Sequence, residues 1–432
     1  MDFAGIIILI VSFFLLLTVG VPVAYSIGIS GILTMLVSID SLPAFTTYAL
    51  RMASGLDSFA LLAIPFFILA GNIMNSGGIA IRLIDFAKVL VGRMPGGLAV
   101  VNVVSNMLFG AISGSAAAAA SAIGSIMTPE MKKAGYDTNF SAAVNISSAT
   151  TGMIIPPSNV LIVYSLASGG VSVSALFMAG YLPGILTGLA IMLVAAFMAA
   201  HRHYERGVSV NISEGMRVFW RAIPSLMLLV IVIGGILAGF FTATEASAVA
   251  VLYSLLLAFI YKELTWKKLP TILLQSAKTT AIVMLLVGTC TGLSWIMSYE
   301  NLPQTVSSML LSISSDPTMI LIMINIILLI VGIFMDMTPA VLIFTPIFLP
   351  IATQQLGMDP VHFGIMMVLN LCVGLCTPPV GSVLFIGCSV AGTKIDKVIK
   401  PLLPMFAAMI VVLFLVAFIP QLSLLIPKLF GL

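Results

Sequence analysis

DTNFSAAVNISSATTGMIIPPSN at 137–159 and DPVHFGIMMVLNLCVGLCTPPVGS at 359–382 read as copies of each other. One offset of 222 residues places Asp137 on Asp359, Gly152 on Gly374, Pro156 on Pro378 and Pro157 on Pro379. A shared offset at so many punctuating residues marks a duplication. Each copy is an apolar segment interrupted by a glycine, a proline pair and small hydroxyl residues. Proline lacks the N–H a helix needs and clashes with the carbonyl one turn back, so each copy is expected to form two half-helices joined by unwound backbone.

The surroundings of these breaks place them in a membrane. Of the 432 residues, 60% are hydrophobic and 8% are charged, with a mean hydropathy of +1.21. Many runs reach or approach the ~20 residues that span a ~30 Å hydrocarbon core, so the chain reads as an all-α polytopic membrane protein. Irregular backbone at membrane depth is tolerated only against protein or a wet cavity. Paired interrupted segments in two halves of a chain therefore point to a transporter's binding site. The start, Met1-Asp2-Phe3, lacks a signal peptide's basic region, so residues 4–20 are expected to remain as a first span.

Outward from the breaks, the halves repeat one plan. The first inverted repeat, 1–200, has spans at 4–20, 22–38 and 57–75, and polar or amphipathic stretches at 41–52 and Ile79–Val91 that suit the interface. Arms at 96–109 and 115–127 flank a loop at 110–114. At about 14 residues, or ~21 Å, each arm falls short of a crossing, which predicts a re-entrant hairpin over 96–130. The first broken helix, 139–168, and a span at 173–200 follow. A charged linker at 201–221 leads into the second repeat, 222–432, with spans at 222–239, 244–261 and 275–297. A polar connector with Glu300, a hairpin over 317–352, the second broken helix at 360–392 and a last span at about 401–425 complete it.

Five crossings per half, plus a hairpin that enters and leaves by one face, invert the second half relative to the first. With the N-terminus outside, sixteen of the 18 Lys and Arg residues lie inside, leaving only Arg51 and Lys428 outside. Cytoplasmic loops retain positive charge. The expected topology thus has an inner first hairpin, an outer second hairpin and both termini periplasmic.

Half-helix N-termini offer N–H groups to an anion, while freed carbonyls and hydroxyl or amide oxygens can coordinate sodium. Candidates in the first half are Ser113 and Ser115 at the hairpin tip, then Ser147, Thr150, Thr151, Gly152, Pro156, Ser158 and Asn159. The second half offers Asp336, Thr338, Asn370, Gly374, Thr377, Pro378, Gly381 and Ser382. Taken singly, each hydroxyl is better read as bonded back to its own helix. Jointly, the clusters coincide with the breaks in both repeats and read as functional. Ser113, Ser115, Ser158, Asn159, Asp336 and Thr338 suit a substrate, and the remainder suit sodium. Asp336 sits between apolar runs, where a carboxylate is expensive unless compensated. Its bland alternative is a cap on the helix that follows, and site involvement is the favoured reading. Glu245 reads as a helix N-terminal residue.

Several chemistries are excluded. His201, His203 and His362 are too scattered to hold a metal, and no Walker motif or nucleophile triad is present. Cys290, Cys372, Cys376 and Cys388 fall in apolar segments and read as core. No enzymatic activity, no cofactor beyond coupling sodium ions and no nucleic-acid partner are expected.

FGAISGSAAAAASAIGSIMTPEM at 109–131 and TTGMIIPPSN at 150–159 are the most specific stretches of a resemblance that begins at PVAYSIG (22–28) and runs to the last span. They resemble the large membrane subunit of tripartite ATP-independent periplasmic (TRAP) transporters, within the broader ion transporter superfamily. The resemblance implies an elevator mechanism in the bacterial inner membrane. It implies sodium coupling, uptake of a small organic acid (C4-dicarboxylate, 2-oxo acid or sialic acid), a periplasmic substrate-binding protein and a small four-helix membrane subunit, here a separate chain. It also implies that Ser113, Ser115, Ser158, Asp336 and the loop 377–382 lie where ions and substrate bind. The second copy reads PPVG where the first reads PPSN, so the second ion site relies more on carbonyls. The alternative within transport is a self-sufficient sodium/anion carrier; an intramembrane enzyme or a scaffold is the alternative from another class.

Overall fold

The computed structural model describes residues 3–204, 212–378 and 380–432. Residues 205–211 of the expected linker, with Arg206, and Pro379 of the second proline pair lie outside the described residues. Among the described residues the chain is built from helices and turns, without strands. The first half holds α1 (Phe3–Thr18), α2 (Val23–Ser38), α3 (Ser41–Leu56), α4 (Ala63–Ser76), α5 (Ile79–Val91), α6 (Gly97–Ser113), α7 (Ala116–Lys133), α8 (Thr138–Ala149), α9 (Asn159–Ala167) and α10 (Val173–His201). The second holds α11 (Ile212–Leu237), α12 (Ala243–Ile260), α13 (Leu269–Tyr299), α14 (Leu302–Ile313), α15 (Pro317–Phe334), α16 (Met337–Gln354), α17 (Pro360–Leu375), α18 (Ser382–Ala391), α19 (Ile395–Phe418) and α20 (Gln421–Leu429).

The offset of 222 residues seen at the prolines carries α6 onto α15, α7 onto α16, α8 onto α17, α9 onto α18 and α10 onto α19. Packing follows the same rule. The second half of each broken helix packs on the other repeat's hairpin, α18 on α7 and α9 on α16, and α8 packs on α19 as α17 does on α10. Such reciprocity is what a two-fold relation requires. Its axis passes near Thr150, whose carbonyl accepts a contact from the Cys372 thiol at 3.4 Å; these two residues are partners under the offset. With five crossing elements in each half, the repeats are inverted.

The broken helices form the centre. From Phe140 to Ala149 every residue of α8 is buried, as is every residue of α17 from His362 to Leu375. Helices apolar on all faces belong inside a large assembly of helices. The outer helices instead turn apolar side chains outward, with Phe14, Val230 and Leu252 all exposed, as a lipid-facing surface requires. Along α3, Tyr48 plugs into the spaces over Gly31 and Gly292 and donates to the Thr289 carbonyl at 2.9 Å, which fastens this amphipathic helix to α2 and α13.

Several expected boundaries are corrected. The first hairpin's arms have 17 and 18 residues, so they reach about 26 Å rather than ~21 Å. Gly110 does not open a loop, because its role is close packing; only Gly114, with φ +61°, and Ser115 form the tip. The connector after Glu300 contains α14, a short amphipathic helix opened by Pro303 that falls on α5 under the offset. Part of the expected linker is helical, since α11 starts at Ile212, and α13 starts at Leu269, ahead of its expected span. The last span ends at Phe418 because Pro420 interrupts it, and α20 follows as a separate amphipathic helix.

Glu245 takes the helix N-terminal role expected of it. The Thr242 hydroxyl accepts from the Glu245 N–H at 3.3 Å, while a Glu245 carboxylate oxygen accepts from the Thr242 N–H at 2.8 Å. This reciprocal box satisfies two N–H groups that a helix start leaves orphaned. Glu245→Ala removes one half of this box and is expected to lower the melting temperature of the detergent-solubilised protein slightly.

Candidate functional site

Each hairpin tip rests on the break of the helix that follows it. In the first repeat, the space beside the Gly114 α-carbon is closed by Asn159 Nδ2 and the Pro157 carbonyl: a Cβ there would lie 3.2 and 3.3 Å from them. The Gly114 N–H donates to the Gly110 carbonyl at 2.7 Å, which closes α6. Ser115 caps α7 by accepting from Ala118 N–H at 3.3 Å, and Ser113 Oγ donates to the Ser115 carbonyl at 3.4 Å. The break itself contains a cis Pro156–Pro157 peptide bond. Ser158 Oγ turns back to the Met153 carbonyl at 2.5 Å rather than capping α9. Asn159 Oδ1 is buried without a hydrogen-bond partner among the described residues.

The second repeat makes the corresponding contact with a charge. Asp336, the position matching Gly114, stands at the N-cap of α16, yet its side chain caps nothing. Its Oδ1 instead accepts from Ser382 Oγ at 3.2 Å, across from the hairpin tip to the start of α18. Beside it, a Cβ on Gly381 would lie 2.5 Å from the Leu375 carbonyl and 2.9 Å from the Thr377 carbonyl, so two carbonyls crowd onto this glycine. The PPVG copy accordingly presents main-chain oxygens and one serine, whereas the PPSN copy presents an amide.

Other predicted residues do something different. Ser147, Thr150 and Thr151 donate to the carbonyls of Ala143, Ser147 and Ser148 at 2.9, 2.9 and 2.6 Å. Thr377 likewise donates to Val373 at 2.8 Å. These hydroxyls are engaged with their own segments, which leaves oxygen lone pairs, but no free donors, for an ion or substrate. Gly152 and Gly374 act through their lack of side chain. Gly152 lies directly against Gly110, and Gly374 directly against Gly332. Both pairs obey the 222-residue offset, so each repeat joins its hairpin to its broken helix by a glycine–glycine backbone contact.

Apart from the candidate Asn370, a buried amide network has no counterpart among the residues singled out from the sequence. Asn106 Nδ2 lies within 2.8 Å of Asn102 Oδ1, 3.0 Å of Asn145 Oδ1 and 2.9 Å of Ser148 Oγ, stitching α6 to α8. Asn370 Nδ2 reaches Asn325 Oδ1 and the Asn325 carbonyl, both at 2.9 Å, stitching α15 to α17. The signal was present: Asn102 and Asn106, four apart within VNVVSNMLF, place two amides on one face of an apolar helix. Amides there demand partners, since an unpaired buried polar group costs ~1–3 kcal/mol.

Two hairpins, each docked by its tip on a discontinuous helix and repeated about a pseudo-two-fold axis, define a membrane transporter of inverted repeats. The chain belongs to the family "Tripartite ATP-independent periplasmic transporter, DctM component", whose model matches residues 10–422. It is thus a permease component rather than an enzyme. It is 57% identical over 426 residues to the uncharacterized protein YgiK of Salmonella typhimurium, covering 99% of this chain and 98% of that one. It is also 41% identical over 408 residues to the C4-dicarboxylate TRAP transporter large permease protein DctM of Pseudomonas aeruginosa, covering 94% of both. Among solved structures its fold is similar to the YdaH transporter of Alcanivorax borkumensis, with a TM-score of 0.65 over 89% of each chain at 13% identity.

Proposed function

We propose that this chain is the substrate-translocating subunit of a sodium-coupled uptake system for a small organic acid in the bacterial inner membrane. The observation that carries the reading is the repeated docking of a hairpin tip on a helix break. It offers main-chain N–H groups, carbonyls, serines and one carboxylate at corresponding places in the two inverted repeats. In this reading sodium binds among the oxygens of Ser147, Thr150, Thr151, Gly152 and Pro156 in the first repeat, and of Asn370, Gly374, Thr377, Pro378, Gly381 and Ser382 in the second. Ser113, Ser115, Ser158, Asn159, Asp336 and Thr338 face the substrate. An elevator movement would carry α6–α9 and α15–α18 as one body past the outer helices. Support comes from the close glycine contacts within that set, which tie each hairpin to its broken helix.

Relatives of this size work as large permeases, and the P. aeruginosa relative's name gives the substrate class to try first, a C4-dicarboxylate. The partners are a small membrane subunit and a periplasmic binding protein that delivers the acid. Positive charge on the loops supports a periplasmic location for both termini. The test reconstitutes the chain with its small subunit in liposomes and adds the loaded binding protein outside. Uptake that requires both an inward sodium gradient and the binding protein is expected. Uptake of free acid without the binding protein would make the chain a self-sufficient carrier instead.

A further inference from the structure

Away from the breaks, a cavity of about 500 Å³ opens where α5, α11 and the end of α12 meet, lined by Gly78, Arg82, Asp85, Arg221, Tyr261 and Glu263 among others. Arg82 lies over the Tyr261 ring, 3.6 Å from its centroid, and its Nη1 donates to the Gly78 carbonyl at 2.9 Å. Stacking fixes the guanidinium plane and leaves further N–H donors on the fork. The Tyr261 hydroxyl is buried and has no hydrogen-bond partner among the described residues. Arg221 makes no ion pair among the described residues either. Asp85 reaches Lys88 at 3.8 Å, and the Arg221 and Arg82 charges also act on its carboxylate. Burial raises its carboxyl above the usual carboxylate range, an effect that nearby Lys88 partly offsets.

The cavity's depth follows from its neighbours. Trp220 in α11 and Trp266 between α12 and α13 stand 66% and 75% exposed, and indole rings of this kind settle at the headgroup level of a bilayer. The helix α5 buries Ile79, Leu83, Ile84 and Ala87 and carries Arg82, Asp85 and Lys88 on its other side, as an interfacial helix does. The apolar run of α11 begins just beyond Arg221. Two guanidiniums with an unsatisfied phenol beside two carboxylates form a zwitterionic recess, not an anion site. We propose that it holds the headgroup of a membrane phospholipid bearing a phosphate and a primary ammonium, of the phosphoethanolamine type. The phosphate takes Arg82, Arg221 and the Tyr261 hydroxyl, and the ammonium takes Asp85 and Glu263. A quaternary choline ammonium has no N–H to donate, and a glycerol headgroup has no cation, so neither satisfies both halves.

The test is native mass spectrometry of the full-length purified chain, offered equimolar phosphatidylethanolamine, phosphatidylglycerol and phosphatidylcholine. One phosphatidylethanolamine is expected to be retained about tenfold over the other two, the effect of one charge-assisted hydrogen bond. Arg221→Gln and Glu263→Gln lie on exposed side chains, so both are expected to stay folded and each to lower that retention about tenfold. Equal retention of the three lipids, or retention unchanged in both variants, overturns the proposal. Soluble phosphoethanolamine at the same concentration is expected not to displace the lipid; displacement would overturn the membrane source.

Discussion

Asp336→Asn is expected to impair sodium-coupled uptake more than folding. The substitution keeps the size and an acceptor oxygen for the Ser382 hydroxyl but removes the charge. Where a carboxylate helps to compensate a cation or to hold a coupled substrate, a charge-assisted contact is worth about 1.5–3 kcal/mol. That is a loss of roughly 10- to 100-fold in apparent sodium affinity. The substitution keeps the side chain's shape and its contact with Ser382, so the melting temperature is expected to change little. Uptake measured against sodium concentration, alongside a melting curve, separates the two. Wild-type sodium dependence in the variant would falsify the role. Ser382→Ala, which leaves the charge and removes its hydroxyl partner, is expected to have a smaller effect in the same direction.

Gly152→Ala and Gly374→Ala are expected to damage folding and transport together. A Cβ on Gly152 would sit 2.2 Å from the Gly110 α-carbon, and one on Gly374 would sit 2.6 Å from the Gly332 α-carbon. Both obstacles are backbone, so no side-chain rotation relieves them and the hairpin must move off its broken helix. Overpacking of a core costs about 1–3 kcal/mol where side chains can shift, and the upper end or more is expected here. The readouts are folded yield, melting temperature and uptake in liposomes. Gly234→Ala is the control. Nothing lies within 4 Å of its added Cβ, and alanine in a helix is favoured over glycine by up to about 1 kcal/mol. Equal tolerance of all three changes would show that the hairpins do not move with the broken helices as tightly docked bodies.

These residues also show how far the chain could be read unaided. The 222-residue offset was visible because prolines and glycines announce themselves: each imposes a backbone consequence that does not depend on its neighbours. Spans were visible because a bilayer demands long apolar runs. Short amphipathic helices fared less well. In α14, the sequence LPQTVSSMLLSI has too little apolar length to register as a span and enough serine to pass for a connector. Gly110 was misread as part of a loop because a glycine that permits φ > 0 and a glycine that permits close approach look identical in a sequence. Which of the two applies depends on what lies opposite.

For the candidate site the division is sharper. The residue types at the breaks and at Asp336 were legible, because oxygen-bearing side chains in apolar segments stand out. Their employment was not. Whether Ser158 caps α9 or turns back to Met153, and whether Asp336 caps α16 or meets Ser382, is a choice among partners of similar strength. The chain's own sequence determined a polytopic helical protein with duplicated, proline-broken helices, since covalent geometry and hydrophobicity act locally along the chain. Only the tertiary structure decided that Gly110 meets Gly152, that amides stitch α6 to α8 and α15 to α17, and that a hairpin tip lands on each break. Those are contacts between residues tens of positions apart, fixed by how whole helices pack rather than by any residue's own preference.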